Sequence, residues 1–217
     1  MRSLGVYVVA GKPIHEGHWQ MIGKASKECD EALIVTSVAG RDEMQAGVMV
    51  KAWKRVLFSQ FEIDYPNARL IITDKSPFII AIEEMKKAKD DFDKLIFYSD
   101  DNDAIKYSKS IPRLLEDPEI VSKFTLRGVS RSETIQISGT KMRELLKLDD
   151  KESFDAYAPQ TLSQAMKDEY WRILKNPESI QDSRNVIKML VNEGRKNKTL
   201  TSILYEEVKK KLYLYKV

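Results

Sequence analysis

The stretch LGVYVVAGKPIHEGHWQ, residues 4–20, places an apolar run, a turn and the start of a helix in direct succession. Leu4 to Ala10 is apolar without alternation, as expected of a strand covered on both faces. Gly11 and Pro13 punctuate it. From Gly17 to Glu28 the apolar residues take helical spacing. A buried strand that feeds straight into a helix opens a βαβ unit. The pattern then recurs. EALIVTS (31–37), ARLIITD (68–74), DKLIFYS (93–99) and KFTLRGV (123–129) read as further strands, and helical patterns occupy 47–61, 77–89 and 138–148. This alternation predicts an α/β fold: a Rossmann-like open parallel sheet of about five strands with helices on both faces.

The character changes near residue 150. Beyond it no segment reads as a strand, and 162–175, 178–194 and 199–215 read as helices. In the last, Leu200, Ile203, Leu204, Val208 and Leu212 share one stripe, which suits core or a subunit interface. The expected division is a domain over 1–150 and a helical extension over 151–217.

The chain has 217 residues, 42% hydrophobic and 32% charged, with a formal net charge of +3. That suits one ordinary domain with an appendage. The charge balance is mixed, not the concentrated basic face of a nucleic-acid binder. The single cysteine, Cys29, rules out an internal disulfide and fits a reducing cytoplasm. The N-terminal apolar run is too short for a signal-peptide core, and no segment approaches a membrane span. The expectation is a cytoplasmic protein, with oligomeric state open.

Both histidines of the chain, His15 and His18, fall within four residues. In an open parallel sheet, ligands bind beyond the carboxyl ends of the strands, at the point where strand order reverses. The turn carrying Gly11, Lys12, His15 and Gly17 leaves the first strand at such an end. It enters a helix expected to begin near Gly17 or His18. Free N–H groups there favour an anion, and two imidazoles can donate to its oxygens. The alternatives are solvated loop side chains, or a zinc site. Zinc lacks a third histidine or a nearby cysteine to complete a tetrahedral set, and Glu16 is expected to face another side of the turn.

QISGTKMRELL, residues 136–146, is the second informative stretch. Ser138 suits an N-cap and Gly139 a close backbone approach. Thr140 and Arg143 share a face of the first turn. Lys141 and Arg143 are cations at the end of a helix that disfavours them by roughly 0.3–1 kcal/mol each. A bound anion reverses that balance. The stretch reads as a phosphate grip, or as an ordinary capped helix with surface cations.

HEGH after the first strand and ISGTKMR after the last resemble the paired signatures of the HxGH nucleotidyltransferase superfamily. That superfamily includes nicotinamide mononucleotide adenylyltransferases, phosphopantetheine adenylyltransferases and small cytidylyltransferases. The resemblance covers residues 4 to about 148. It implies transfer of a nucleotidyl group from ATP or CTP to a phosphate-bearing small-molecule acceptor, with release of pyrophosphate and no covalent intermediate. His15 and His18 would meet the triphosphate and stabilise charge at the α-phosphate. Ser138, Thr140 and Arg143 would hold the β- and γ-phosphates, and Mg²⁺ would bridge phosphate oxygens. The lead-in departs from the family's G-x-F-x-P-x-H-x-G-H. Val9 stands where the glycine is usual and Gly11 where the phenylalanine is. Lys12, just before Pro13, either meets a phosphate or is a solvated turn lysine.

Further candidates are Asp100 or Asp101 for ribose hydroxyls or metal, with a helix N-cap as the alternative. Arg41, Lys54, Arg55, Arg127 and Arg131 are candidates for acceptor or nucleotide. Trp53 reads as core. The form SGTKMR favours adenylyl transfer to an acceptor such as nicotinamide mononucleotide. RSETIQISGT resembles the cytidylyltransferase R-T-E-G-I-S-T-T with two residues more, which keeps CTP with a sugar or alcohol phosphate as an alternative. A non-catalytic nucleotide-binding module is a third reading. Aminoacyl-tRNA synthetase-like chemistry lacks room for an anticodon domain and a clear K-M-S-K-S element.

Overall fold

Five parallel strands, β1 (Ser3–Val9), β2 (Glu31–Ser37), β3 (Ala68–Thr73), β4 (Lys94–Asp100) and β5 (Phe124–Val129), form one sheet in the order β3-β2-β1-β4-β5. The computed structural model describes residues 1–40, 44–130 and 133–176. Arg41, Arg131 and the helical patterns beyond residue 177 lie outside the described residues.

The chain winds outward from β1 to β3, then returns past β1 to build β4 and β5. The order therefore reverses between β1 and β4, which pair directly from Ser3–Lys94 to Tyr7–Tyr98. α1 (Glu16–Glu28) joins β1 to β2. α2 (Ala46–Ala52), a π-helical turn (Trp53–Leu57) and α3 (Phe58–Asp64) join β2 to β3. α4 (Pro77–Lys87) crosses to β4, and α5 (Asp101–Leu115) with α6 (Pro118–Lys123) leads to β5. α7 (Gly139–Leu148), α8 (Lys151–Tyr157) and α9 (Gln164–Lys175) follow.

Successive strand residues point to opposite faces, and the sheet separates two cores accordingly. Leu4, Val6, Leu33, Val35, Leu95 and Phe97 pack with α4, α5 and α6. Tyr7, Val9, Ala32, Ile34 and Tyr98 pack with α1, the α2–α3 segment and α7 to α9. Phe154, Tyr170 and Ile173 belong to this same second core, alongside Ile14, Trp19 and Trp53. Trp53 is fully buried, as expected, against Trp19 and edge-on to Phe61. Cys29 is buried and unpaired by any disulfide. Among the described residues no helix is long and apolar enough to cross a membrane.

The helices depart from the sequence reading in three ways. α1 begins at Glu16, before the expected Gly17 or His18, because His15 itself is the N-cap. α6 and α8 were not anticipated, and of α5 only a helix N-cap at Asp100 or Asp101 was, as an alternative. The helix expected over 47–61 runs from Ala46 to Asp64 and carries a π-helical turn in its middle.

Candidate functional site

The turn after β1 leaves the sheet next to β4, where the strand order reverses. His15 is extended (φ −136°) and its Nδ1 accepts the His18 backbone N–H at 3.4 Å, so an imidazole caps α1 where Ser or Asp is usual. Because Nδ1 accepts, the His15 proton sits on Nε2. The two rings stack, centroids 3.6 Å apart and 21° between planes. Burial pushes His15 down to about 4. Burial also holds His18 well below its ordinary value, with the neighbouring His15 adding to the shift. Both imidazoles are therefore neutral near pH 7. The Nδ1 atom of His18 is buried and has no hydrogen-bond partner. A desolvated, unpaired nitrogen costs about 1–3 kcal/mol, and such orphans in native folds mark functional sites often enough to be informative.

α7 brings the second motif to the same place. Ser138 is its N-cap, the hydroxyl accepting the Lys141 N–H at 3.1 Å. Arg143 donates from Nη2 to the Thr140 hydroxyl at 3.1 Å and from Nη1 to the Lys12 carbonyl at 2.8 Å. The guanidinium thus ties the start of α7 to the histidine turn. Lys12 is only 7% exposed, which rules out the solvated-lysine alternative. The Lys12–Pro13 peptide is cis. At Gly139 a Cβ would lie 3.2 Å from the Lys12 carbonyl oxygen, and at Gly17 one would lie 2.9 Å from the Ile135 carbonyl oxygen. These two glycines let the motifs meet backbone to backbone. Gly11 is buried against Ile14.

Asp100 is the N-cap of α5, its carboxylate accepting the N–H groups of Asn102 and Asp103 at 2.9 and 3.0 Å. The cap falls on Asp100, and Asp101 is the first helical residue. Arg55 leans on Glu169 of α9 at 3.7 Å. Arg127 faces Glu28 and Glu133. Neither arginine reaches the histidines by any of these contacts. Among the described residues, no group of three or more His, Cys, Asp or Glu could hold a metal ion.

The sequence reading missed the residues that brace the turn. The Tyr170 hydroxyl of α9 donates to the Ile14 carbonyl at 2.9 Å, and the Gln160 N–H donates to Glu16 at 2.7 Å. With Arg143 on Lys12, alternate residues 12, 14 and 16 are each held from a different later segment.

No family model matches the chain, and no curated protein matches it. Its likeness is to solved structures. A Plasmodium falciparum nicotinic acid mononucleotide adenylyltransferase, complexed with APC, is 15% identical with a TM-score of 0.53, covering 80% of this chain and 98% of that one. A Vibrio parahaemolyticus protein assigned as a nicotinate-nucleotide adenylyltransferase is 16% identical with a TM-score of 0.51, covering 78% and 99%. A NadR protein in complex with NR is 18% identical with a TM-score of 0.49, covering 74% of this chain, which in turn spans only 44% of that longer protein. The chain thus has the fold of the nicotinate-nucleotide adenylyltransferases, with an H-x-G-H sequence at the sheet's point of reversal.

Proposed function

We propose that the protein is a nucleotidyltransferase that moves an adenylyl group from ATP to a small phosphate-bearing acceptor. One observation carries the reading. Two stacked, neutral histidines stand at the carboxyl end of β1, joined through Lys12 and Arg143 to the N-terminus of α7. In the reaction an acceptor phosphate oxygen attacks the α-phosphorus. A new P–O bond forms as the bond to the β-phosphate oxygen breaks, and pyrophosphate departs with the electron pair. His15, with its proton on Nε2, and His18 would donate to oxygens at the α-phosphorus. Ser138, Thr140 and Arg143 would receive the β- and γ-phosphates, and Lys12 would meet the acceptor phosphate or the α-phosphate. Mg²⁺ would arrive on the triphosphate, whose oxygens it prefers together with water. Catalysis of this kind is positioning and electrostatics, with little demand for a base.

The form SGTKMR supports adenylyl over cytidylyl transfer, and nicotinate or nicotinamide mononucleotide are the acceptors to test first. The experiment is pyrophosphate release from Mg·ATP and from Mg·CTP, with these mononucleotides and with sugar and alcohol phosphates. Turnover is expected with ATP. His18→Ala is expected to lower kcat about 10²–10³-fold, the usual cost of one transition-state donor. Its thermal midpoint should hold or rise, since the variant removes a buried unpaired nitrogen. A His18→Ala variant with wild-type turnover would sink the reading, and turnover with CTP alone would move it to a cytidylyltransferase.

A further inference from the structure

Glu16 stands inside the H-x-G-H sequence yet makes its bonds away from the histidines. Its Oε2 accepts the backbone N–H of Gln160 at 2.7 Å, and its Oε1 accepts the Gln20 side-chain amide at 3.0 Å. The Gln20 carbonyl oxygen in turn accepts the backbone N–H of Ile135 at 2.8 Å. The series runs from the connection between α8 and α9, across the first turns of α1, to the segment that delivers Ser138.

Every polarity in it is fixed. A backbone N–H only donates, so Ile135 obliges Gln20 to present its oxygen there and its NH₂ to Glu16. Gln160 also only donates. Glu16 must therefore accept on both oxygens, which an ionised carboxylate does and a carboxamide does not. It is 8% exposed, so water offers little substitute.

We infer that Glu16 and Gln20 are positioning residues that set the span between the two helix N-termini of the site, α1 and α7. The inference rests on the nucleotidyl-transfer reading. Either N-terminus alone can hold a flexible triphosphate in the ground state. The transition state needs donors on both at once, so an error in the span costs rate more than binding.

The test is steady-state kinetics of E16Q and of the exchange E16Q/Q20E, well below their thermal midpoints. In E16Q the series holds one donor too many. In the exchange, the carboxamide at position 16 accepts from Gln160 and donates to the carboxylate at position 20, which also accepts from Ile135. The series is whole again. E16Q is expected to lower kcat about 10- to 100-fold with KM for the nucleotide within about threefold. The exchange is expected to return kcat to within about threefold of wild type. Q20E alone sets two carboxylates against each other, should show the same loss, and serves where E16Q does not fold. A lowered midpoint with unchanged kcat would overturn the inference, because the pair would then only stabilise the fold. A loss that the exchange does not restore would overturn it too, since charge at position 16 would then be what matters. An active wild type with an unaffected E16Q overturns this inference alone. A wild type without turnover on any nucleotide overturns the functional reading and this inference with it.

Discussion

His15 and His18 lose their basicity through burial, and the sign of the consequence can be worked out. In the unfolded chain each titrates near its ordinary value of 6.5, while in the fold His15 falls to about 4 and His18 well below 6.5. Between pH 6.5 and 4 the unfolded state binds more protons, so stability is full above that window and falls as the pH drops through it. The slope is about 1.4 kcal/mol per pH unit for each histidine that stays neutral in the fold. Urea denaturation at pH 7, 6 and 5 is expected to show the loss, and His18→Ala to halve its slope. Asp100 teaches a related lesson. Its acidity suits sugar or metal binding, and its Oδ1 also takes the two backbone amides of α5 that a helix N-cap takes. Residue type alone could not separate a cap from a ligand, because both jobs want the same oxygen at the same strand end.

At the scale of elements, the strands were legible because burial on both faces writes an unbroken apolar run. The body of α5 was not, beyond its alternative N-cap, because it carries few buried apolar residues, Ile111 and Leu115 near its end, and shows Ile105 to solvent. The π-helical turn left a trace that periodicity at 3.6 overlooks. Met49, Trp53, Leu57 and Phe61 recur at strict intervals of four, and all are buried. On an ideal α-helix such a row drifts by about 40° per step. Widening one turn absorbs the drift and keeps the row on the core. A different strain sits at the end of α5. Glu116 has φ 64° and ψ −40°, and the Asp117 N–H donates to the Leu115 carbonyl at 2.7 Å around it. This is a γ-turn of the strained hand. Glu116→Gly is expected to raise unfolding stability by about 1 kcal/mol, read from the urea midpoint. The ion pair it deletes, Lys86–Glu116 at 3.3 Å with the glutamate 77% exposed, offsets little of that.

Across the whole molecule, the sequence reading separated a helical extension from the sheet domain on the loss of strands. The contacts between them could not be read, since a buried tyrosine gives no sign of which carbonyl it will find. Tyr170 is fully buried, and its hydroxyl reaches 156 residues back to Ile14. Tyr170→Phe leaves the ring packing and strands one buried carbonyl. It is expected to cost about 1–3 kcal/mol. Denaturation followed by tryptophan fluorescence and by circular dichroism should still give one coincident transition, because α9 shares its core with α1 and the α2–α3 segment.

Lys12, Ile14 and Glu16 are made early, but their holders, Arg143, Gln160 and Tyr170, come more than a hundred residues later. During synthesis, at about 5–20 residues per second, the histidine turn waits several seconds for its braces. A growing chain therefore carries its chemistry unfinished. The competence of the site becomes a report that the last third of the described protein has been made and has docked.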